Sequence, residues 1–246
     1  MRRALLVLAL ALAPAVASAD PPHAIVEVKP GDPAFERLFG VRVLAVADPS
    51  IASAELMPSQ EVLVTGKKPG TTTVVAIAGG KLVGIRVHVR EPGAARPDQS
   101  GAAELAAALK ACPKHQLVGE GADQELGAVP EPAACRTALA ALFATDHFVI
   151  KQISVDFDQP ALQLQLAEME KAVKTAGLDG VSLAYQAATL VVKGTLSRAE
   201  AAKLALALYG SAVGGVPLDD TELLIEEPDA GPPVAPLPPV ITIAPR

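Results

Sequence analysis

The chain has 246 residues, 50% of them hydrophobic but only 3% aromatic, with no tryptophan and a formal net charge of −6. That length supports one large or two small domains with real cores, and the apolar content excludes wholesale disorder. The acidic balance and scarcity of Phe and Tyr argue against nucleic acid, whose binding draws on Lys/Arg at phosphates and on aromatic stacking.

Residues 1–19 open Met1-Arg2-Arg3, run apolar from Ala4 to Leu12 and end Ala17-Ser18-Ala19. A basic start, a short apolar stretch and an A-x-A ending predict a secretory signal peptide cleaved near Ala19, followed by export to the periplasm. The apolar run is too short to span a bilayer, and Pro14 follows it. Cleavage removes Arg2 and Arg3 and takes the net charge to −8.

Residues 24–90 alternate as short β-rich runs: Ile25–Lys29, Val41–Val46, Glu61–Thr65, Thr73–Ile77 and Leu82–Val89. Turn residues punctuate them, and Gly79-Gly80 between two runs is a hairpin signal, since primed turns need positive φ. The expectation is a small all-β, sandwich-like domain.

Residues 91–145 begin with a linker by composition, then two helical stretches, Ala102–Ala111 and Ala133–Phe143, around a Gly- and Pro-bearing loop without clear periodicity. Export makes Cys112 and Cys135 a disulfide rather than a redox or metal pair, and they lack C-x-x-C spacing.

Residues 146–227 read as strand (148–157), helix (159–175), two strands (181–185, 189–193), a helix opened by the capping box Ser197-x-x-Glu200, and a last strand (221–225). That β-α-β-β-α-β order makes the fold class α+β, a sheet-and-helix module behind the all-β domain. The tail 228–246 carries seven prolines, which predicts an extended, flexible segment. Its Val240-Ile241-Thr242-Ile243 suits strand addition to a partner's sheet edge.

The residues offer little chemistry. Thr65–Thr72 lacks phosphate-loop spacing and leads into a β run, so no helix N-terminus awaits a phosphate. Four scattered histidines form no zinc pattern, and Asp146, Asp156 and Asp158 lack calcium-loop spacing and read as a solvated strand end. No G-x-S-x-G is present. No catalytic residue, cofactor or metal is expected, and the chain is read as a non-enzyme.

Two segments carry a resemblance. Val41–Ala54 contains Asp48-Pro49-Ser50-Ile51-Ala52, and Glu61–Thr72 contains Gly66-Lys67-Lys68-Pro69-Gly70-Thr71-Thr72. Together they resemble the pilus formation protein N-terminal family, the periplasmic N-terminal part of tight-adherence and type II/III secretins, over about residues 25–90. Gly180–Ser197 with its following helix is similar, more loosely, to BON or ring-building modules. The resemblance implies a periplasmic accessory or ring component of a pilus or type II-like secretion apparatus. Its partners would be other protein subunits, a secretin among them, and a homo-oligomeric ring is implied. Family secretins continue into a long β pore domain; the sequence ends at Arg246 in the Pro-rich tail, so the periplasmic half alone is expected. Asp48, Pro49, Ile51, Ala52, Gly66, Lys67, Pro69, Gly70 and Thr72 are expected to be structural turn residues. The same segments also resemble bacterial immunoglobulin-like surface modules, an adhesion or carbohydrate-contact alternative. An enzyme whose site assembles only in three dimensions is the remaining class, and a deep polar cleft would be its mark.

Overall fold

A computed structural model describes residues 20–94, 101–112, 114, 116–119, 123–129 and 133–226. The leader read at 1–19, parts of the linker and of the Cys112–Cys135 loop, and the tail with Val240–Ile243 lie outside the described residues.

The N-terminal part is a two-sheet sandwich. One sheet holds β1 (Ala24–Val28), β3 (Val41–Val46), β6 (Gly70–Ala78) and β7 (Lys81–Val89) in the order β1-β7-β6-β3. The other holds β2 (Pro33–Arg37), β4 (Ala52–Leu56) and β5 (Glu61–Gly66) in the order β2-β5-β4. Side-chain alternation decides what meets between them: Val62, Val64, Val74, Ile85 and Val87 are each 0% exposed and form the sandwich core. Gly79 and Gly80 turn β6 into β7 with φ of +55° and +71°, the left-handed region that this two-residue hairpin needs. Strands β2 and β4 escape the sequence pattern because Pro33-Ala-Phe-Glu-Arg37 and Ala52-Ser-Ala-Glu-Leu56 carry few β-branched residues. They form because β5 offers a ladder on both of its edges.

Strand β6 explains why the molecule does not end at its sandwich. Val74, Ala76 and Ala78 face the sandwich core, while Val75 and Ile77 on the opposite face are also only 1% exposed. A strand apolar on both faces is covered on both. The outer cover is a helix described below.

The rest of the chain is built as two units of one order. The first runs α1 (Ala102–Ala111), β8 (Gln116–Val118), β9 (Glu125–Ala128), α2 (Ala133–Phe143) and β10 (Ile153–Val155). The second runs α3 (Gln159–Thr175), β11 (Ser182–Gln186), β12 (Thr189–Ser197), α4 (Arg198–Ser211) and the paired segments β13 (Leu218–Asp219) and β14 (Leu223–Glu226). The pairing repeats as well as the order. β8 and β9 are antiparallel and β9 is parallel to β10; β11 and β12 are antiparallel and β12 is parallel to β13 and β14.

The fold is α+β, as the composition of elements predicts, but the pairing differs at one place. The strand expected at 148–157 shortens to 153–155 after a 3₁₀ turn at 150–152, and it pairs with β9 instead of the 182–197 hairpin. Its partner lies in the stretch read as an aperiodic loop. With three and four residues, β8 and β9 are too short to show a period in sequence.

The helices follow local rules closely. Asp158 accepts a hydrogen bond from the Ala161 amide at 2.9 Å to start α3, with Pro160 in its first turn. Ser197 and Glu200 form the expected capping box of α4. Gly210 does not stop that helix, which continues to Ser211, because α4 is held from two sides. Ala201, Leu204, Ala205 and Leu208 are 0% exposed between the β11–β14 sheet and the outer face of β3, β6 and β7. Tertiary packing outweighs the roughly 1 kcal/mol helix cost of glycine.

The disulfide joins Cys112, at the end of α1, to Cys135 in the first turn of α2, with Cα atoms 4.6 Å apart. Both cysteines sit in the first unit's core with Leu139, Leu142, Phe143 and Phe148. The bond therefore staples two helices of one core across the 23-residue separation.

Candidate interaction site

The residues singled out by pattern meet at one end of the sandwich. Asp48 Oδ1 accepts hydrogen bonds from the Ser50 amide, at 2.9 Å, and from the Ser50 hydroxyl. These bonds hold the Asp48 carboxyl below its ordinary value. The Asp48 amide donates to Thr72 Oγ1 at 2.9 Å, and Lys67 Nζ donates to the Pro49 carbonyl at 2.9 Å. The Lys67 and Lys68 amides both donate to the Ile51 carbonyl. Thus the Asp48–Ala52 segment and the Gly66–Thr72 segment tie into one knot. Gly66 is required there by space, since a Cβ would stand 2.7 Å from the Lys29 carbonyl and 3.0 Å from Val28 and Val89. The atoms of this knot satisfy one another, so it shapes the sandwich end rather than presenting reactive groups.

A second set of polar groups binds the three units together. Along β7 the outward residues are Leu82, Gly84, Arg86 and His88, alternate to the core residues Ile85, Val87 and Val89. Arg86 donates to the carbonyls of Phe143 (2.6 Å) and Thr145 and to Asp146 Oδ1 (3.0 Å), so it caps the C-terminal end of α2. Asp146 Oδ2 lies 2.9 Å from His88 Nε2, a close polar contact without hydrogen-bond alignment. Burial alone would raise the Asp146 carboxyl, but His88 and Arg86 together hold it below its ordinary value. Asp146, read from sequence as part of a solvated strand end, is instead the acceptor that docks β7 onto the first unit.

The second unit is fastened similarly. Arg42 on β3 donates to Asp220 Oδ2 (2.6 Å) and to the carbonyls of Asp220 (2.7 Å) and Leu223 (2.8 Å). Tyr209 on α4 crosses Gly84, where an added Cβ would collide with the ring and hydroxyl. Its hydroxyl donates to the Asp20 carbonyl at 3.1 Å. Asp20 lies where all three units meet: its Oδ1 accepts from the Gly215 amide at 2.6 Å, the Pro22 carbonyl accepts from Ile150, and the His23 amide donates to Gly84. Burial raises the Asp20 carboxyl to about 7, against the lowering effect of the Gly214 and Gly215 amides. None of these pairs was visible in sequence, because each joins residues tens to almost two hundred positions apart.

Thr71 Oγ1 lies 2.9 Å from His88 Nδ1, so Thr71, His88 and Asp146 fall in a row of hydroxyl, imidazole and carboxylate. Nucleophilic catalysis asks for a cleft at the hydroxyl and donors aimed at a developing oxyanion. The four main clefts among the described residues include none of these three side chains. The shared Arg86 contact gives the row a docking role.

An open trough of about 1030 Å³ lies elsewhere, walled by α2, α3 and α4. From α2 come Ala133, Arg136, Thr137 and Ala140. Leu164, Glu168, Ala172 and Thr175 line it from α3, and Leu206, Ala207, Gly210 and Ser211 from α4. Each set follows the three-and-four spacing of a single helix face. Arg136 is paired with Gln165 at 3.0 Å and Glu168 at 2.5 Å, which fixes α2 against α3. Lys171 of α3 and Lys203 of α4 also line it, exposed; neither makes a salt bridge among the described residues, though Lys203 is close enough to Glu200 to help lower that carboxyl. No group of three or more His, Cys, Asp or Glu that could hold a metal occurs among the described residues.

Comparison with known proteins places one segment. The profile described as "Pilus formation protein N terminal region" matches residues 38–90, from the start of β3 to the end of β7. It contains both halves of the Asp48/Gly66 knot and begins after β1 and β2, which complete the sandwich. Neither α-β-β-α-β unit lies within the match, so the expected BON-like likeness has no support from it. Comparison with curated proteins finds no match. Among solved structures, the S-layer protein rSbsC(31-844) aligns over 42% of this chain and 14% of its own, at 19% identity and a TM-score of 0.24. So loose an overlap carries no argument about fold or function. No helix among the described residues is long and apolar enough to cross a membrane.

Proposed function

We propose that the chain is an exported, non-enzymatic interaction protein of a pilus or secretion assembly, acting in the periplasm as an accessory or ring component. The observation that carries this reading is the pilus-formation match over 38–90, with its two motif halves closed into one knot. Two further features support it. The polar groups clustered between units pair across the seams and hold the sandwich on its two helical units, as a scaffold requires. The 1–19 pattern, read as a cleaved leader, supplies the compartment.

In this reading the sandwich is the module shared with pilus-formation proteins, and the paired α-β-β-α-β units extend it as a rigid arm. The tail segment Val240–Ile243 is proposed as a strand donated to a partner's sheet edge.

The test is co-purification of the full chain from native membranes, followed by mass spectrometry. Recovery of a secretin or another pilus or secretion subunit supports the reading, and recovery of none overturns it. Exposure on the cell surface in protease-shaving experiments would favour the immunoglobulin-like adhesion alternative. For the tail, deletion of 228–246 should reduce partner recovery; unchanged recovery removes that element.

A further inference from the structure

The trough between α2, α3 and α4 is built outside the 38–90 segment, so its argument is separate from the family match. We infer that it seats an amphipathic helix of a partner protein, apolar on one face and acidic along its flanks. This names the kind of partner for the interaction role proposed above and rests on that role only for where the partner comes from.

Three observations converge on a helical occupant. Each wall is a single helix face, and such faces pack by taking the side-chain ridges of another helix into their grooves. The floor is small: Ala140, Ala172, Ala176, Ala207 and Gly210 allow a helix backbone to approach closely. Leu164, 39% exposed on α3, is a large apolar side chain at the rim with water where a packing partner would sit. The α3 wall from Leu164 to Thr175 runs about 16 Å at 1.5 Å per residue, the length of roughly three helical turns.

Charge selects among such helices. Arg136 is already paired with Glu168, whereas Lys171 on α3 and Lys203 on α4 line the trough without a salt bridge among the described residues. A helix seated in the trough meets both positive charges, in a chain whose overall charge is −6. Acidic flanks answer both lysines, while a basic or neutral helix leaves them unpaired. A second copy of this chain is a poorer occupant, since its described helices already spend their apolar faces on their own cores.

The experiment uses the full exported chain in its native cells with the photo-crosslinking residue p-benzoylphenylalanine replacing Thr175 on the trough wall, and Thr221 in a control. Crosslinked peptides are sequenced by mass spectrometry. The expected result is a crosslink from position 175, but not 221, to a segment of a second protein with helical apolar spacing and flanking Asp or Glu. The Lys171→Glu/Lys203→Glu variant should lose that crosslink about tenfold while its far-UV circular dichroism stays unchanged and its melting point falls only slightly, since both side chains are exposed, neither makes a salt bridge among the described residues, and Lys203 attracts only the nearby Glu200. Crosslinks to residues 227–246, to a second copy, or to a basic or extended segment overturn the inference. So does the absence of a crosslink at 175, or a yield indifferent to the charge reversal. An acidic helix from a protein unrelated to pili or secretion upholds the trough and defeats the functional reading. A pilus subunit that co-purifies but never crosslinks at 175 does the reverse.

Discussion

Gly84 is the position where a single methyl group tests how the sandwich is joined to the second unit. It lies buried in β7 opposite Val75, on the outward face, and the ring of Tyr209 rests directly on its Cα. A Cβ there would stand 2.6 Å from Tyr209 Cε2 and closer still to Cζ and the hydroxyl. Tyr209 is only 2% exposed, packed in the α4 core and bonded to the Asp20 carbonyl, so it has little room to give. Overpacking of this kind costs about 1–3 kcal/mol. Tyr209→Ala alone should cost about 3–5 kcal/mol, the value for removing a buried aromatic side chain. In that background the collision is gone. Gly84→Ala should then be neutral or stabilising by about 0.4–1 kcal/mol, because alanine loses less chain entropy than glycine in a strand. The two substitutions are therefore expected to couple by about 1–4 kcal/mol in a double-mutant cycle. Urea unfolding of the four proteins, followed by far-UV circular dichroism, measures it. Additivity within about 0.5 kcal/mol would refute the close approach of Tyr209 to β7.

Asp20 gives a pH test. Its folded value of about 7 lies above the ordinary 3.8, so the folded state keeps a proton that the unfolded chain releases. Its effect on stability is nil below pH 4, grows more unfavourable at up to about 1.4 kcal/mol per pH unit toward 7, then levels off. Asp20→Asn keeps an acceptor for the Gly215 amide, and its stability advantage over the parent should widen across pH 4–7, by on the order of 4 kcal/mol at most. A constant difference would contradict the burial of that carboxyl. Replacing Cys112 and Cys135 with serine should cost about 3 kcal/mol by loop-closure entropy, read as a lower urea midpoint that reductant no longer shifts. Gly66→Ala should cost about 1–3 kcal/mol, because the Lys29 carbonyl and two valines occupy the space of its methyl. Unchanged thermal melting of that variant would show that the motif knot is loose.

Much of the local structure was legible. The turn at Gly79-Gly80, the Ser197/Glu200 capping box, the bounds of α1, α2 and α3 and the strands rich in Val and Ile all follow from spacings of a few residues. The motif segments could be marked, though not that Lys67 would hold the Pro49 carbonyl. Elements with weak local signal went unseen: β2 and β4 depend on β5 as their ladder, and β8 and β9 depend on each other and on β10.

Sequence alone determined the pattern of apolar faces. The alternating runs Val41–Val46 and Glu61–Thr65 mark one face of each strand as core, whereas cover on both faces of β6 is seen only in the fold. Only the tertiary structure decided what covers what. It set Arg86 and His88 on Asp146, laid Tyr209 over Gly84, buried Asp20 beside Gly215 and left the trough between three helices open. The physical reason is one of range. Backbone propensity and side-chain periodicity act over a few residues and are written into each segment. A buried charge or a close-packed glycine is settled by its partner, which the chain here supplies up to 195 residues away.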